Sequence, residues 1–281
     1  MSQLRRMTAF TTSPRGGNPA GVWIGDALPP DPEMQRIAAE AGYPNTAFLA
    51  PAAGQERNVR YFSPAMPVGF CGHATIASGV ILGQTQGAGT YRFVTPAGEV
   101  PVAVRQREGQ WEVSLTSVPP KHEAAAPALV ARVLESLEWP AADLDPGIPP
   151  ARIYAGNWHL ALAARSAGRL SDLDYDFDRL KAVMNAEGLA TLQLVWRERG
   201  DLYHSRNPFP VGGVVEDPAS GSAAAAFAGY LRDARLIETP ASIVVLQGEA
   251  MGRPSRIEVE IPGTGGIVVT GRAVAMDEEA I

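Results

Sequence analysis

Short apolar runs broken by glycine and proline fill the first third of the chain. "RRMTAFTT" (5–12) and "AGVWIG" (20–25) read as strands, joined by the turn-rich "SPRGGNP". Asp31-Pro32 then predicts an N-cap followed by a proline at the first helical position. Met34, Ile37, Ala38 and Ala41 form one apolar helix face, and Gly42 suits the stop. "TAFLA", "NVRYFS", "YRFVT", "EVPVAVRQ" and "WEVSLT" follow as strands rich in β-branched and aromatic residues. From "SVPPKHEAAAP" to "DLDPGIPP" the text turns to Pro, Ala and acidic residues around one helix, Pro127–Leu137. A boundary is expected there, giving halves 1–118 and 119–281, with the last strand free to pack on the first half.

The second half repeats the order of the first. "ARIYA" and "HLALAAR" precede a helix near Phe177–Ala186, then strands "TLQLVWR" and "DLYHSR", an alanine-rich helix, and three further strands. Setting "CGHATIASGVIL" (71–82) over "SGSAAAAFAGYL" (220–231) matches Gly72 with Gly221, Ala74 with Ala223, Ala77 with Ala226 and Leu82 with Leu231. Gly17-Asn18 precedes the first of these helices and Gly156-Asn157 the second; Gly98-Glu99 and Gly248-Glu249 follow them. Three landmarks in one order predict an internal duplication. Both repeated helices are apolar on nearly every face, which predicts burial. Their amino ends carry unpaired amides and partial positive charge, and glycine lets a ligand approach the backbone. Gly72-His73 and Gly221-Ser222 are therefore candidates to cradle an anion, most simply a carboxylate, in a cleft between the halves. Against this stands the simpler reading that the glycines only permit tight helix packing.

Composition narrows the class. The 281 residues are 46% hydrophobic and 19% charged, a globular balance. A net charge of −6 leaves no basic footprint for nucleic acid or an anionic membrane. A single cysteine, Cys71, excludes an intramolecular disulfide and cysteine-rich zinc sites, and the four histidines lack helical metal spacing. No metal is expected. The N-terminus has no apolar run of signal-peptide length, and no stretch reaches a membrane span, so a cytoplasmic location is expected. No phosphate loop or Gly-x-Gly-x-x-Gly string is present, so no nucleotide is expected.

"GNPAGV" (17–22), "FCGHATIA" (70–77), "EDPASGSAAA" (216–225) and "QGEAMGRPSRIEV" (247–259) together resemble the PhzF-like phenazine-biosynthesis isomerase family, in order and spacing over almost the whole chain. The resemblance implies an α+β, diaminopimelate-epimerase-like fold of two pseudo-symmetric halves, each a curved sheet around a central helix. It implies a cofactor-free and metal-free isomerase that shifts protons on a small carboxylated substrate, usually as a homodimer; the best-known member acts on a dihydro-hydroxyanthranilate. By position it places His73, Asp217 and Ser222 at polar site positions, with Gly72 and Gly221 offering amides to the carboxylate. Asp217 would bind an amino or hydroxyl group or relay its proton. Asn18 and Asn157 would be hydrogen-bonding groups at the rim.

One departure weighs on the mechanism. Where the family pattern has Ser-Glu-Thr-Ala-Phe with a proton-transferring glutamate, this chain has "PNTAF", so Asn45 replaces the glutamate. A carboxamide is no general base near neutral pH, and losing one costs on the order of 10²–10⁴ in rate. Either His73 or Asp217 takes the proton, or Asn45 polarises a substrate in a cyclisation or hydration, or the protein binds a small anion without turning it over. His73 is expected to be neutral, held so by its helix end. Cys71 is expected to serve mainly as packing, and a Cys71–His73 dyad is disfavoured because residues two apart at a helix start should diverge. Ser220, opposite Cys71 in the repeat, disfavours a two-cysteine racemase. His159 either lines the cleft or is structural, His204 is expected away from the site, and His122 in the linker is expected to be exposed.

Overall fold

A computed structural model describes residues 3–276. They divide into two compact units, one ending at Thr116 and resuming at Thr270, the other Ser117–Val269.

In the first unit the strands are β1 (Gln3–Ala9), β2 (Asn18–Ile24), β3 (Asn45–Pro51), β4 (Glu56–Phe62), β5 (Pro67–Val68), β6 (Gly89–Thr95), β7 (Gly98–Arg107) and β8 (Gln110–Thr116). The ladder runs β1–β2 antiparallel, β2–β3 parallel, β3–β4 antiparallel, β4–β6 parallel, then β6–β7 and β7–β8 antiparallel, with the two-residue β5 added to β4. The C-terminal segments close it. Val268–Gly271 pairs with β8 and Ala273–Ala275 with β1, giving an eight-stranded barrel without free edges. Its inward residues alternate with exposed ones, as in β6, where Tyr91, Phe93 and Thr95 are buried and their neighbours are not.

Two helices serve this barrel. The outer one, α1 (Asp31–Ala41), crosses between the parallel β2 and β3 and packs Met34 and Ala38 on Trp23, Phe48 and Phe62. Its cap is Pro30 rather than Asp31, which is the first helical residue and pairs with Arg60 at 2.9 Å. The proline one residue later already fixes the helical start, so the carboxylate is released for the ion pair. The inner helix, α2 (Gly72–Gln86), is buried from Ala74 to Gly83. Gly79 lets it meet the barrel wall, since a Cβ there would lie 2.7 Å from Val113. Its buried hydroxyls are satisfied internally: Thr75 donates to the Cys71 carbonyl and Ser78 to that of Ala74.

The second unit repeats this plan in β9 (Lys121–Ala124), β10 (Ala151–Tyr154), β11 (Trp158–Ala163), β12 (Thr191–Arg199), β13 (Leu202–Arg206), β14 (Ala241–Gln247) and β15 (Ser255–Ile261). From β10 onward the pairings are antiparallel, parallel, antiparallel, parallel, antiparallel, the series found from β1 to β7. The registers agree as well. Ala20 pairs with Asn45 at the start of one parallel ladder and His159 with Thr191 at the start of the other. That places Gly156-Asn157 where Gly17-Asn18 stands, and Cys71 and Ser220 both cap their helices. The outer helices α3 (Pro127–Leu137), α4 (Ala167–Ser171) and α5 (Phe177–Glu187) cover the sheet with a Leu-rich cluster around Leu160, Leu162, Leu192 and Leu194. The inner helix α6 (Gly221–Asp233) is buried from Ala223 to Leu231. The α+β architecture with two like-folded halves is the one expected. Among the described residues no helix is long and apolar enough to cross a membrane.

Candidate functional site

In the first unit the polar candidates gather at the amino end of α2. Cys71 has an extended backbone, φ −143°, so its side chain turns back over the first turn instead of following the helical spiral. Its Sγ lies 3.1 Å from Asn45 Oδ1 and 3.4 Å from His73 Nδ1. The expected divergence of Cys71 and His73 is therefore corrected: a cap residue is not bound to helical geometry. Cys71 also does more than pack, because its thiol donates to the Asn45 carboxamide. His73 is partly buried and its imidazole is pushed down to about 4 by desolvation, so it is neutral at pH 7. The physical cause is burial, where the helix end had been expected to supply it. Behind them Tyr61 and Thr75 share a buried hydrogen bond of 2.6 Å.

Gly72 answers the packing reading directly. A Cβ built there meets no atom within 4 Å, so this glycine is not holding the helix against a wall. The open space lies beside the first-turn amides, and Cys71 makes no side-chain bond to them. Asn18 is buried at the start of β2. Gly17 before it has φ +70°, and a Cβ there would lie 2.3 Å from the Ala9 carbonyl oxygen, so only glycine fits.

In the second unit the "EDPASGS" loop delivers Asp217, Ser220 and Ser222 to the start of α6. Glu216, 4% exposed, is held by Arg206 through bonds of 2.6 and 3.1 Å, which anchors the loop to β13. Asp217 is half-buried, and its Oδ1 accepts the Ala219 N–H at 3.3 Å. Gln247 spans the loop, donating to the Asp217 carbonyl at 2.6 Å and accepting the Ser220 N–H at 3.3 Å. Gly248 follows with φ +78°, and a Cβ there would collide with the Pro218 oxygen at 2.6 Å. Ser220 caps α6 by accepting the Ala223 N–H.

A buried polar row that the sequence reading did not assemble stands behind Ser222. His159 Nε2 is 3.4 Å from Ser222 Oγ, and its Nδ1 is 2.8 Å from Thr191 Oγ1. Thr191 donates to Asn207 Oδ1 at 2.8 Å, and Asn207 donates to Gln193 Oε1 at 2.5 Å. His159 is 1% exposed, and burial pushes its imidazole down to about 3. Of the members, only His159 and Ser222 had been singled out; polar Gln193 between the buried Leu192 and Leu194 was the signal for the rest. Asn157 is exposed in the β10–β11 turn. His204 is on the surface between Glu198 and Glu249, at 2.7 and 3.1 Å, apart from these groups, and His122 is exposed on β9. Among the described residues no three His, Cys, Asp or Glu side chains are grouped to hold a metal ion.

A family model described as phenazine biosynthesis-like protein matches residues 7–279. The chain belongs to that family. Its relatives include an uncharacterized isomerase of Deinococcus radiodurans, 30% identical over 100% of this chain and 94% of the relative. The trans-2,3-dihydro-3-hydroxyanthranilate isomerase of Pseudomonas aeruginosa is 28% identical, covering 96% of this chain and 95% of that one. Among solved structures, the Bacillus anthracis phenazine biosynthesis protein of the PhzF family superposes with a TM-score of 0.87 at 22% identity, over 99% of this chain and 98% of that one. This chain is thus an isomerase-like member of the family, with the family's fold.

Proposed function

We propose that the protein is a cofactor-independent isomerase that moves a proton on a small carboxylated substrate, with His73 as the proton acceptor in place of the family's glutamate. The observation that carries this reading is the cluster at the start of α2. His73 stands 3.4 Å from Cys71, which bonds Asn45 at 3.1 Å, so the imidazole and the carboxamide meet on one thiol. Basicity supports the exchange of roles. An imidazole held near 4 is about as basic as an ordinary glutamate, whose pKa is about 4.3. It is deprotonated at pH 7 and ready to accept.

In this reading the amides beginning at Gly72 bind the substrate carboxylate. His73 takes a proton from carbon, the electron pair moves into the substrate's conjugated system, and the imidazolium returns the proton at another carbon. In the second unit Asp217 and Ser222 are candidates to hold amino or hydroxyl groups of a ligand and the exposed Asn157 is a candidate rim contact, whereas Asn18 is buried and is not a rim group. The name of the Pseudomonas relative makes trans-2,3-dihydro-3-hydroxyanthranilate the first compound to try. The homodimer belongs to the same proposal and is checked by sedimentation.

A second reading has its own observation: Asn45 and Cys71 satisfy one another without any ionisable oxygen, as a binding protein without turnover would arrange them. Deuterium incorporation from heavy water into that compound separates the two. The isomerase reading expects exchange by the wild type and a loss of about 10²–10⁴ in His73→Asn. No exchange by the wild type together with exchange by Asn45→Glu would leave only the binder.

A further inference from the structure

We infer that His159 is a positioning residue that locks Ser222 as a hydrogen-bond acceptor toward the ligand, through a fixed imidazole tautomer set by Thr191 and Asn207. The direction of every bond in the row follows from its far end. Asn207 Nδ2 lies 2.5 Å from Gln193 Oε1 and 3.4 Å from the Arg206 carbonyl oxygen. The Arg206 backbone carbonyl can only accept, so the amide nitrogen faces this side, Gln193 turns its Oε1 to it, and Asn207 Oδ1 faces Thr191. Thr191 has one hydroxyl hydrogen, and it goes to Asn207 Oδ1 at 2.8 Å. Thr191 Oγ1 must then accept from His159, 2.8 Å away, which puts the imidazole proton on Nδ1. His159 Nε2 is left with its lone pair, 3.4 Å from Ser222 Oγ.

The consequence falls on Ser222. Its single hydrogen points back to His159, so its lone pairs are what remains for a ligand at the start of α6. Ser220 Oγ, 3.4 Å away, is placed to donate into the same oxygen when no ligand does. His159 itself is buried and does not reach a ligand, whereas Ser222 keeps partial exposure. The row holds no carboxylate to support an imidazolium: Thr191, Asn207 and Gln193 are all neutral. His159 therefore orients without titrating, and Ser222 receives an N–H or O–H from the ligand instead of donating to its carboxylate, a task left to the helix amides. This assignment of Ser222's role rests on the isomerase reading above; the tautomer does not.

The test is nitrogen-15 NMR of the histidine side chains in the whole protein, with His159→Gln identifying the His159 signals. The expected result is a neutral imidazole protonated at Nδ1 throughout the range from about pH 5 to pH 8. Thr191→Val, which keeps the shape and removes the acceptor, should shift His159 to the Nε2–H form or a mixture, and Thr191→Ser should restore the wild-type signal. In turnover of trans-2,3-dihydro-3-hydroxyanthranilate, Thr191→Val should raise KM about tenfold with kcat little changed, again restored by Thr191→Ser. A wild-type imidazole protonated at Nε2, or a tautomer indifferent to Thr191→Val, overturns the inference. The expected tautomer without turnover by any variant would leave the positioning intact and remove the isomerase reading instead.

Discussion

Gly72→Ala separates a glycine kept for a ligand from one kept for packing. The added methyl meets no atom within 4 Å, and Gly72 is the first residue of α2 with no left-handed backbone requirement. Within the fold alone the change should therefore help. Alanine exceeds glycine in a helix by about 0.5–1 kcal/mol, much of it from a less disordered unfolded chain. A stabilisation of up to about 1 kcal/mol is expected, read as a higher urea midpoint at unchanged slope. Ligand binding should move the other way. The methyl enters the space beside the amide that a carboxylate would approach, and one hydrogen bond to a charged group is worth about 1.5–3 kcal/mol. That corresponds to a loss of roughly 10–100-fold in affinity at about 1.4 kcal/mol per tenfold. Isothermal titration with trans-2,3-dihydro-3-hydroxyanthranilate, beside denaturation of the same samples, reads both effects. A destabilised variant would mean the space is not open. Unchanged stability with unchanged binding would mean that no ligand comes to Gly72.

Three further outcomes are expected. Arg206→Leu strands the buried Glu216 carboxylate and should cost about 3–5 kcal/mol in urea denaturation, with much of it recovered in Arg206→Leu/Glu216→Leu. Folding stability should fall with acid below the unfolded histidine pKa of about 6.5, because His73 (about 4) and His159 (about 3) resist protonation only when folded. For His159 the loss between pH 6.5 and pH 4.5 is at most about 2.7 kcal/mol, at about 1.36 kcal/mol per unit, and His159→Gln should flatten the profile; an unchanged slope would place the imidazole in solvent. Gly248→Ala, with its φ of +78° and a contact of 2.6 Å to the Pro218 oxygen, should destabilise by more than about 1 kcal/mol and loosen the Asp217 loop, seen as faster amide exchange at Ala219 and Ser220.

Much of this protein was legible in the chain because its signals are local. The apolar text of 72–86 and 221–233 announced two buried helices, and no polar face could have placed either at a surface. The glycine landmarks at 17, 98, 156 and 248 marked the duplication because each takes a positive φ that other residues avoid. The motif strings carried the family, and with it Gly72, His73, Asp217 and Ser222. Tertiary structure alone decided what those groups touch. The Cys71 side chain reaches Asn45, 26 positions earlier, only because β3 brings the carboxamide beside the helix cap. His159 became part of a row when β12 and the end of β13 set Thr191 and Asn207 behind it, from positions 32 and 48 residues away. Helical and strand periods are written in neighbouring residues, whereas hydrogen-bond direction depends on which distant donor or acceptor occupies the next position, and that is fixed by strand register.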